Sequence, residues 1–63
     1  MDQISLRAAR VNAKYTQVAA AKMLGIAVST LRNWENGITF PRQPQIKAIC
    51  DLYKVNIDAI FFE

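Results

Sequence analysis

The sequence predicts an all-α protein of five helices without a β-sheet. Apolar residues recur at helical spacing, and glycine or proline separates the segments that carry them. In addition, no segment shows the sustained alternation of β-branched and polar residues that is typical of a strand. The chain has 63 residues, so we expect a single domain over residues 1–63.

The first two helices have recognisable ends. The first is predicted over residues 5–13, with Ser5 as its N-cap. The second is predicted over residues 17–24, after Thr16 as N-cap, and it is rich in alanine. Gly25 follows at the position where a helix commonly ends in left-handed backbone geometry.

The remaining helices are predicted from the same signals. The third covers residues 28–36 and is closed by Gly37, and a loop over residues 38–43 follows. The fourth covers residues 44–53, because Pro44 suits a first helical turn. The fifth is short, with Asn56 capping residues 57–61.

Composition excludes several classes of function. Histidine is absent, Cys50 is the only cysteine, and the five acidic residues are scattered. The usual general base and the usual metal-binding sets are therefore missing, and we expect no enzyme, no metal and no cofactor. No uninterrupted apolar run exceeds four residues, so we expect a cytoplasmic protein without a membrane segment.

Charge is unevenly distributed along the chain. Residues 1–42 contain six basic and two acidic residues, a net charge of +4. Residues 43–63 contain two basic and three acidic residues, a net charge of −1. This asymmetry favours an anionic partner at one face, although a few surplus lysines and arginines on a solvated surface would give the same count.

The second and third helices have the spacing of a helix-turn-helix, over residues 16–36. Ala21 supplies the small residue that a close helix crossing needs. Gly25 supplies the positive φ of the turn. Leu31 and Trp34 supply the apolar side of the second of these helices, so we predict that Trp34 lies in the core rather than stacking on a base.

Several motifs together resemble the Cro/repressor-type (XRE-family) helix-turn-helix of phage and bacterial regulators. They are Thr16-Gln17, Ala21, Leu24-Gly25, Ser29-Thr30-Leu31, Trp34-Glu35-Asn36-Gly37 and Pro41, followed by Ile46, Ile49, Tyr53-Lys54-Val55, Asp58 and Ile60. The resemblance extends over essentially the whole chain. It implies a five-helix domain of the phage lambda repressor-like type that binds DNA, is usually dimeric, and represses or activates transcription.

Four residues depart from that pattern. Ala27 stands where a capping Ser or Thr usually precedes the recognition helix. Lys14 stands at a bend that often has Gly, so it is expected in strained geometry. Val18 and Ala19 replace common acidic residues, which removes a capping box at Thr16 but also removes repulsion of phosphate.

A helical wheel of the third helix separates an apolar arc from a polar one. Four residues of the polar arc are candidate base contacts: Val28, Ser29, Arg32 and Asn33. Arginine can donate two bonds to guanine, asparagine can pair with adenine, valine can pack on a thymine methyl group, and serine can reach a base edge. A merely solvated polar face is the alternative, and the family resemblance favours groove contact.

The resemblance also implies phosphate contacts. Gln17 begins the second helix, where backbone N–H groups and the helix dipole attract phosphate. Further candidates lie around the bends and the loop: Lys14, Asn36, Thr39, Phe40 and Arg42. In repressors of this type the positions matching Arg10 and Glu35 form an ion pair. We favour that pair over a role for Arg10 mainly as a phosphate ligand, and both are compatible if its guanidinium is two-sided.

We interpret the chain as a sequence-specific transcriptional regulator that binds double-stranded DNA, and more narrowly as a repressor of phage or bacterial origin. It would dock its third helix in the major groove and act by occupancy, as a homodimer on a palindromic operator. Phe61 and Phe62 are adjacent, so one of them should be core and the other exposed. Phe40 and Phe62 are the apolar side chains least accounted for by the core, and at least one is expected in a self-contact. The alternative is a protein-interaction module, antitoxin-like or antirepressor, on the same scaffold.

Overall fold

Within residues 3–62, the fold consists of four α-helices, one turn of 3-10 helix and a pair of two-residue strands. A computed structural model describes residues 3–62 of the chain. The elements in chain order are β1 (Ile4–Ser5), α1 (Leu6–Asn12), α2 (Gln17–Leu24), α3 (Val28–Glu35), α4 (Gln43–Tyr53), a 3-10 helix (Ile57–Ala59) and β2 (Ile60–Phe61).

The capping residues predicted for the first two helices are in place. The Ser5 hydroxyl oxygen accepts a bond of 3.1 Å from the Ala8 N–H, which starts α1. The Thr16 hydroxyl oxygen accepts a bond of 3.1 Å from the Ala19 N–H, which starts α2. Gly25 ends α2 with φ 71°, and a Cβ there would meet no atom within 4 Å. Backbone conformation, rather than crowding, therefore explains the glycine.

Two of the departures from the family pattern have local structural consequences. Lys14 adopts φ 69° at the bend between α1 and α2, a left-handed conformation that costs a non-glycine residue about 1–2 kcal/mol. Ala27 is the N-cap of α3 and makes no capping hydrogen bond with its side chain. A glycine at position 14 would adopt this φ without strain, and a serine at position 27 would cap α3. The protein lacks both of these stabilising features.

The predicted fifth helix is not confirmed, and the expectation of no sheet was wrong. Residues 57–59 form a single turn of 3-10 helix, and β2 then pairs in parallel with β1 in the register Ile4↔Ile60 and Ser5↔Phe61. Strands of two residues are too short to show an alternating pattern, and the partner strand is far away in sequence. The sequence signal that excluded a sheet was therefore uninformative at this position.

The core lies between the four helices and β2. Leu31 of α3 and Ile49 of α4 are completely buried, and Trp34 packs beside them with 5% of its surface exposed. Ala21 is 1% exposed, and its small side chain allows α2 and α3 to cross closely. The inner side of α3 is thus held by the domain, which leaves its other side outward.

Of the two adjacent phenylalanines near the C-terminus, one is packed in the core and the other is exposed, as expected. The exposed one, however, is not the one that was predicted to make a self-contact. Phe62 packs against the core, whereas Phe61 is 36% exposed. Phe40, in the loop between α3 and α4, is 56% exposed. The prediction that the core leaves Phe62 unaccounted for is therefore wrong. Phe61 replaces it, together with Phe40, as a candidate for self-contact.

Candidate nucleic-acid interface

The outer face of α3, which we define as Val28, Ser29, Arg32 and Asn33, carries the candidate base contacts. Ser29 and Arg32 are exposed, and Asn33 is partly exposed. Val28 is partly buried and packs against the core, so only part of its side chain is available outside. The face combines hydrogen-bond donors, acceptors and an apolar group, which are the types of group that read base edges.

A cluster of polar side chains from three helices surrounds the C-terminal end of α3. We call it the Glu35 cluster, and its members are Arg7, Arg10, Gln17, Glu35 and Asn36. The Arg10 Nε donates to Glu35 Oε2 at 2.7 Å. The other carboxylate oxygen, Oε1, accepts from Gln17 Nε2 at 3.1 Å and from Arg7 Nε and Arg10 Nη2 at 3.4 Å each. One carboxylate therefore joins α1, α2 and α3.

The environment of Glu35 keeps it ionised. Its side chain is 0% exposed. Burial by itself would raise the pKa of Glu35, but the hydrogen bonds from Arg10 and Gln17, the positive charge of Arg10 and the bond from Arg7 lower it further than burial raises it. The net result is a pKa below the ordinary value, so the carboxylate is negatively charged at neutral pH and its charge is compensated within the protein.

Arg10 forms the ion pair that the family resemblance implies. Besides its two bonds to Glu35, its Nη1 donates to the Tyr15 backbone oxygen at 2.8 Å. Its side chain is 11% exposed. Most of the guanidinium surface is therefore committed to the protein, and little of it remains for a phosphate group.

Gln17 is held by the protein as well. It is the first residue of α2 and partly exposed, and its bond to Glu35 uses one of the two amide N–H groups. The second N–H is left for another acceptor. The sequence placed Gln17 at the helix start but gave no sign of its bond to α3, which is a contact between residues of two different helices.

Arg7 is the member of the Glu35 cluster that the sequence analysis missed. It lies on α1, is 56% exposed in its side chain, and its Nη2 donates to Asn36 Oδ1 at 3.2 Å. Asn36 lies 29 positions later, at the C-cap of α3. Only the basic charge of the first part of the chain could have pointed to Arg7, and several other basic residues share that signal.

The other predicted phosphate contacts lie outside this cluster. Lys14 is exposed at the bend after α1, and Thr39 and Phe40 are exposed in the loop after α3. Thr39 also donates its backbone N–H to the Asn33 carbonyl oxygen at 3.4 Å. Arg42 is exposed at the N-cap of α4, where its backbone N–H donates to Gln45 Oε1 at 2.8 Å.

Tyr53 of α4 is buried close to Tyr15, the residue whose backbone oxygen accepts a bond from Arg10. Its ring centroid lies 6.1 Å from that of Tyr15. Burial first, and then the negative charge of Glu35, raises the pKa of Tyr53 to about 12. Its buried hydroxyl has no hydrogen-bond partner among residues 3–62.

An apolar cavity of about 210 Å³ opens between the turn, the inner side of α3 and the start of α4. Its lining consists of Leu24, Ile26, Trp34, Pro44, Gln45 and Ala48. Ionisable groups do not line it. It is therefore suited to an apolar side chain rather than to a polar ligand.

The part of the chain that the structure describes contains no cluster of three His, Cys, Asp or Glu side chains that could hold a metal ion.

Cys50 is a partly exposed free thiol on α4, and burial, followed by the charge of Asp51, raises its pKa. Within residues 3–62, none of the helices has the length and apolar character needed to cross a membrane.

A family model described as helix-turn-helix matches residues 6–60 of the chain. The chain belongs to the Cro/repressor-type (XRE) helix-turn-helix family. The match includes α2, the turn and α3 in the arrangement described above. Searches of curated proteins and of solved structures find no significant match.

Membership of the helix-turn-helix family assigns the general activity. The family consists of DNA-binding regulatory domains, which are typically not enzymes. The prediction of a DNA-binding regulator is confirmed at that level.

Proposed function

We propose that this helix-turn-helix protein is a sequence-specific regulator of transcription that places α3 in the major groove of double-stranded DNA. The observation that supports the proposal is the division of α3 into two sides. Leu31 and Trp34 are buried in the core, whereas the outer face of α3 is free at Ser29 and Arg32. If α3 lies in the major groove, this outer face is the side that meets the base edges.

The chemistry of the outer face suggests a role for each residue. Arg32 would donate two hydrogen bonds to guanine O6 and N7, and Asn33 would form a two-bond pair with adenine. The exposed part of Val28 would pack on a thymine methyl group, and Ser29 would bond a base edge or a nearby phosphate.

Phosphate contacts would flank this face and set the position of α3. Gln17 and Asn36 lie at the ends of α2 and α3 and carry N–H groups that can meet phosphate oxygens. Lys14, Thr39 and Arg42 are exposed and are further candidates for backbone contacts. Arg10 would contribute chiefly through its ion pair, because 11% of its side chain is exposed.

Repression by occupancy is the mode of action that we propose. A DNA-binding domain that occupies an operator blocks the access of polymerase to the same stretch of DNA. The family resemblance favours a phage or bacterial source, and hence action in the bacterial cytoplasm.

We further propose that two copies bind a palindromic operator. One recognition helix contacts only about four or five base pairs, which is too few to specify a genomic site, and a second copy about 34 Å away doubles the footprint. Phe40 is exposed in the loop over residues 38–43, and the apolar cavity could receive a side chain of this kind. Sedimentation with a selected duplex should give two proteins per duplex at saturation. One protein per duplex, with Phe40→Ser and Phe61→Ser both binding normally, would refute the dimer.

Selection of bound duplexes from a random DNA pool tests the main proposal. A two-fold-symmetric motif is the expected result. Arg32→Ala and Asn33→Ala should each lose about 1–3 kcal/mol on the best site and relax the preference at one position. Gln17→Ala should weaken binding to all sequences about equally. The groove assignment is wrong if Arg32→Ala acts uniformly and Gln17→Ala changes the preference.

Salt dependence separates DNA binding from the protein-interaction alternative. Affinity for DNA should fall steeply with salt, with a log–log slope of about −0.9 for each phosphate neutralised. A protein-interaction module on the same scaffold would show no such binding to any duplex.

A further inference from the structure

We propose that Arg7 is a DNA-backbone contact, and that it shares one phosphate group with Gln17 and Asn36. This inference rests on the proposed function. It adds a residue of α1 to a surface otherwise assigned to α2, α3, the bend at Lys14 and the loop after α3. The observation that supports it is that side chains from three helices converge in the Glu35 cluster.

The geometry brings the donors of Arg7 and Gln17 close together. Arg7 Nε and Gln17 Nε2 lie 3.4 Å and 3.1 Å from the same atom, Glu35 Oε1. Asn36 is linked to the same guanidinium by its bond of 3.2 Å from Arg7 Nη2. Side chains that meet around one oxygen atom are near enough for their remaining N–H groups to reach one phosphate, whose oxygens accept several bonds.

The charge of the cluster favours an anion. Arg10 makes the short bond to Glu35 and is mostly buried, so it neutralises the carboxylate from within. Arg7 makes the longer contact, at 3.4 Å, and its side chain is 56% exposed. The cluster therefore carries one positive charge in excess, and the exposed group that bears it is Arg7.

Arg7 also has unused hydrogen-bonding capacity. A guanidinium has five N–H donors, and the protein engages two of those of Arg7. The bond from Arg7 to Asn36 limits the movement of both side chains, so less ordering is needed when they bind a phosphate. Glu35 acts as the positioning residue, because its buried carboxylate fixes Arg7 and Gln17 relative to α3.

Binding to a random-sequence duplex, measured over a range of salt concentrations, tests this inference. Arg7→Ala and Arg7→Gln should each make the log–log slope shallower by about 0.9, the value for one phosphate. Lys47→Ala is the matched control, since Lys47 is exposed on α4 and the same charge is removed. It should leave the slope unchanged. Melting temperatures should stay close to that of the wild type, because the contacts of Arg7 are partly exposed.

A double variant tests the shared phosphate. The loss of affinity for Arg7→Ala/Gln17→Ala should be smaller than the product of the two single losses, because both residues hold one group. A loss equal to the product would overturn the sharing. An unchanged slope for both Arg7 variants, or an equal change for Lys47→Ala, would overturn the contact while leaving the proposed function intact. A wild-type protein that binds no duplex would instead reject the proposed function itself.

Discussion

Removal of the Glu35 side chain should destabilise the domain more than any exposed substitution. Glu35→Ala deletes the acceptor of four hydrogen bonds from Arg7, Arg10 and Gln17. Its side chain is 0% exposed and that of Arg10 is 11% exposed, so an arginine would be left mostly buried without its counter-ion. Breaking a buried ion pair in this way costs about 3–5 kcal/mol.

The structure places the expected loss at the lower end of that range. Arg10 would keep its bond of 2.8 Å to the Tyr15 carbonyl oxygen and a small contact with water. We therefore expect a loss of about 3 kcal/mol, against a total stability of about 3–9 kcal/mol for a chain of this length. For so small a domain this corresponds to a fall of roughly 12–24 °C in Tm.

Thermal and urea unfolding followed by circular dichroism would measure the effect. The control is the double variant Arg10→Met/Glu35→Leu, which replaces both charges with apolar groups and should recover most of the lost stability. Two results would refute the reasoning. One is a Glu35→Ala protein with unchanged Tm and increased DNA affinity, which would mean that Glu35 faces DNA. The other is a double variant no more stable than Glu35→Ala.

Three further predictions concern pH, backbone strain and a buried hydroxyl. Because the pKa of Glu35 is lower in the folded protein than its ordinary 4.5, its contribution to stability is present above that pH and is lost as the pH falls through the folded value. The Tm of Glu35→Gln should accordingly vary less with acid than that of the wild type, and parallel curves would contradict this. Lys14→Gly should be more stable than Lys14→Ala by about 0.5–1 kcal/mol. Both variants lose the charge, but only glycine relieves the strain of the positive φ, and its greater unfolded-state entropy offsets part of that gain. Equal urea midpoints of the two variants would count against strain at this position. Tyr53→Phe should raise stability by up to about 1 kcal/mol, because the lost hydroxyl has no partner among the described residues, and a clear loss would reveal a hydrogen bond.

The local parts of the fold could be predicted from the sequence. Ser5, Thr16 and Gly25 act on backbone groups within a few residues of themselves, so their presence is enough to place the start of α1 and both ends of α2. The same holds for Lys14, whose positive φ follows from the bend that it occupies.

The strand pair could not be predicted in the same way. Ile60 and Phe61 have side chains that suit a short helix or a strand, and their local sequence does not decide between them. The decision depends on β1, which offers backbone groups at the other end of the chain in the register Ile4↔Ile60. The fate of the neighbouring phenylalanines follows from this pairing, since it determines which ring turns toward the core.

The sequence by itself determined the family, the helix-turn-helix and the outward side of α3, because periodicity and capping are properties of neighbouring residues. Only the tertiary structure decided what surrounds Glu35. Gln17 was a plausible phosphate contact and Arg7 one basic residue among several, yet both bond to Glu35 Oε1 beside the Arg10 ion pair. Contacts between side chains of different helices depend on how α1, α2 and α3 pack, and that packing is set by apolar core residues that carry no charge. The polar pattern of the sequence therefore could not reveal the cluster that the core assembles.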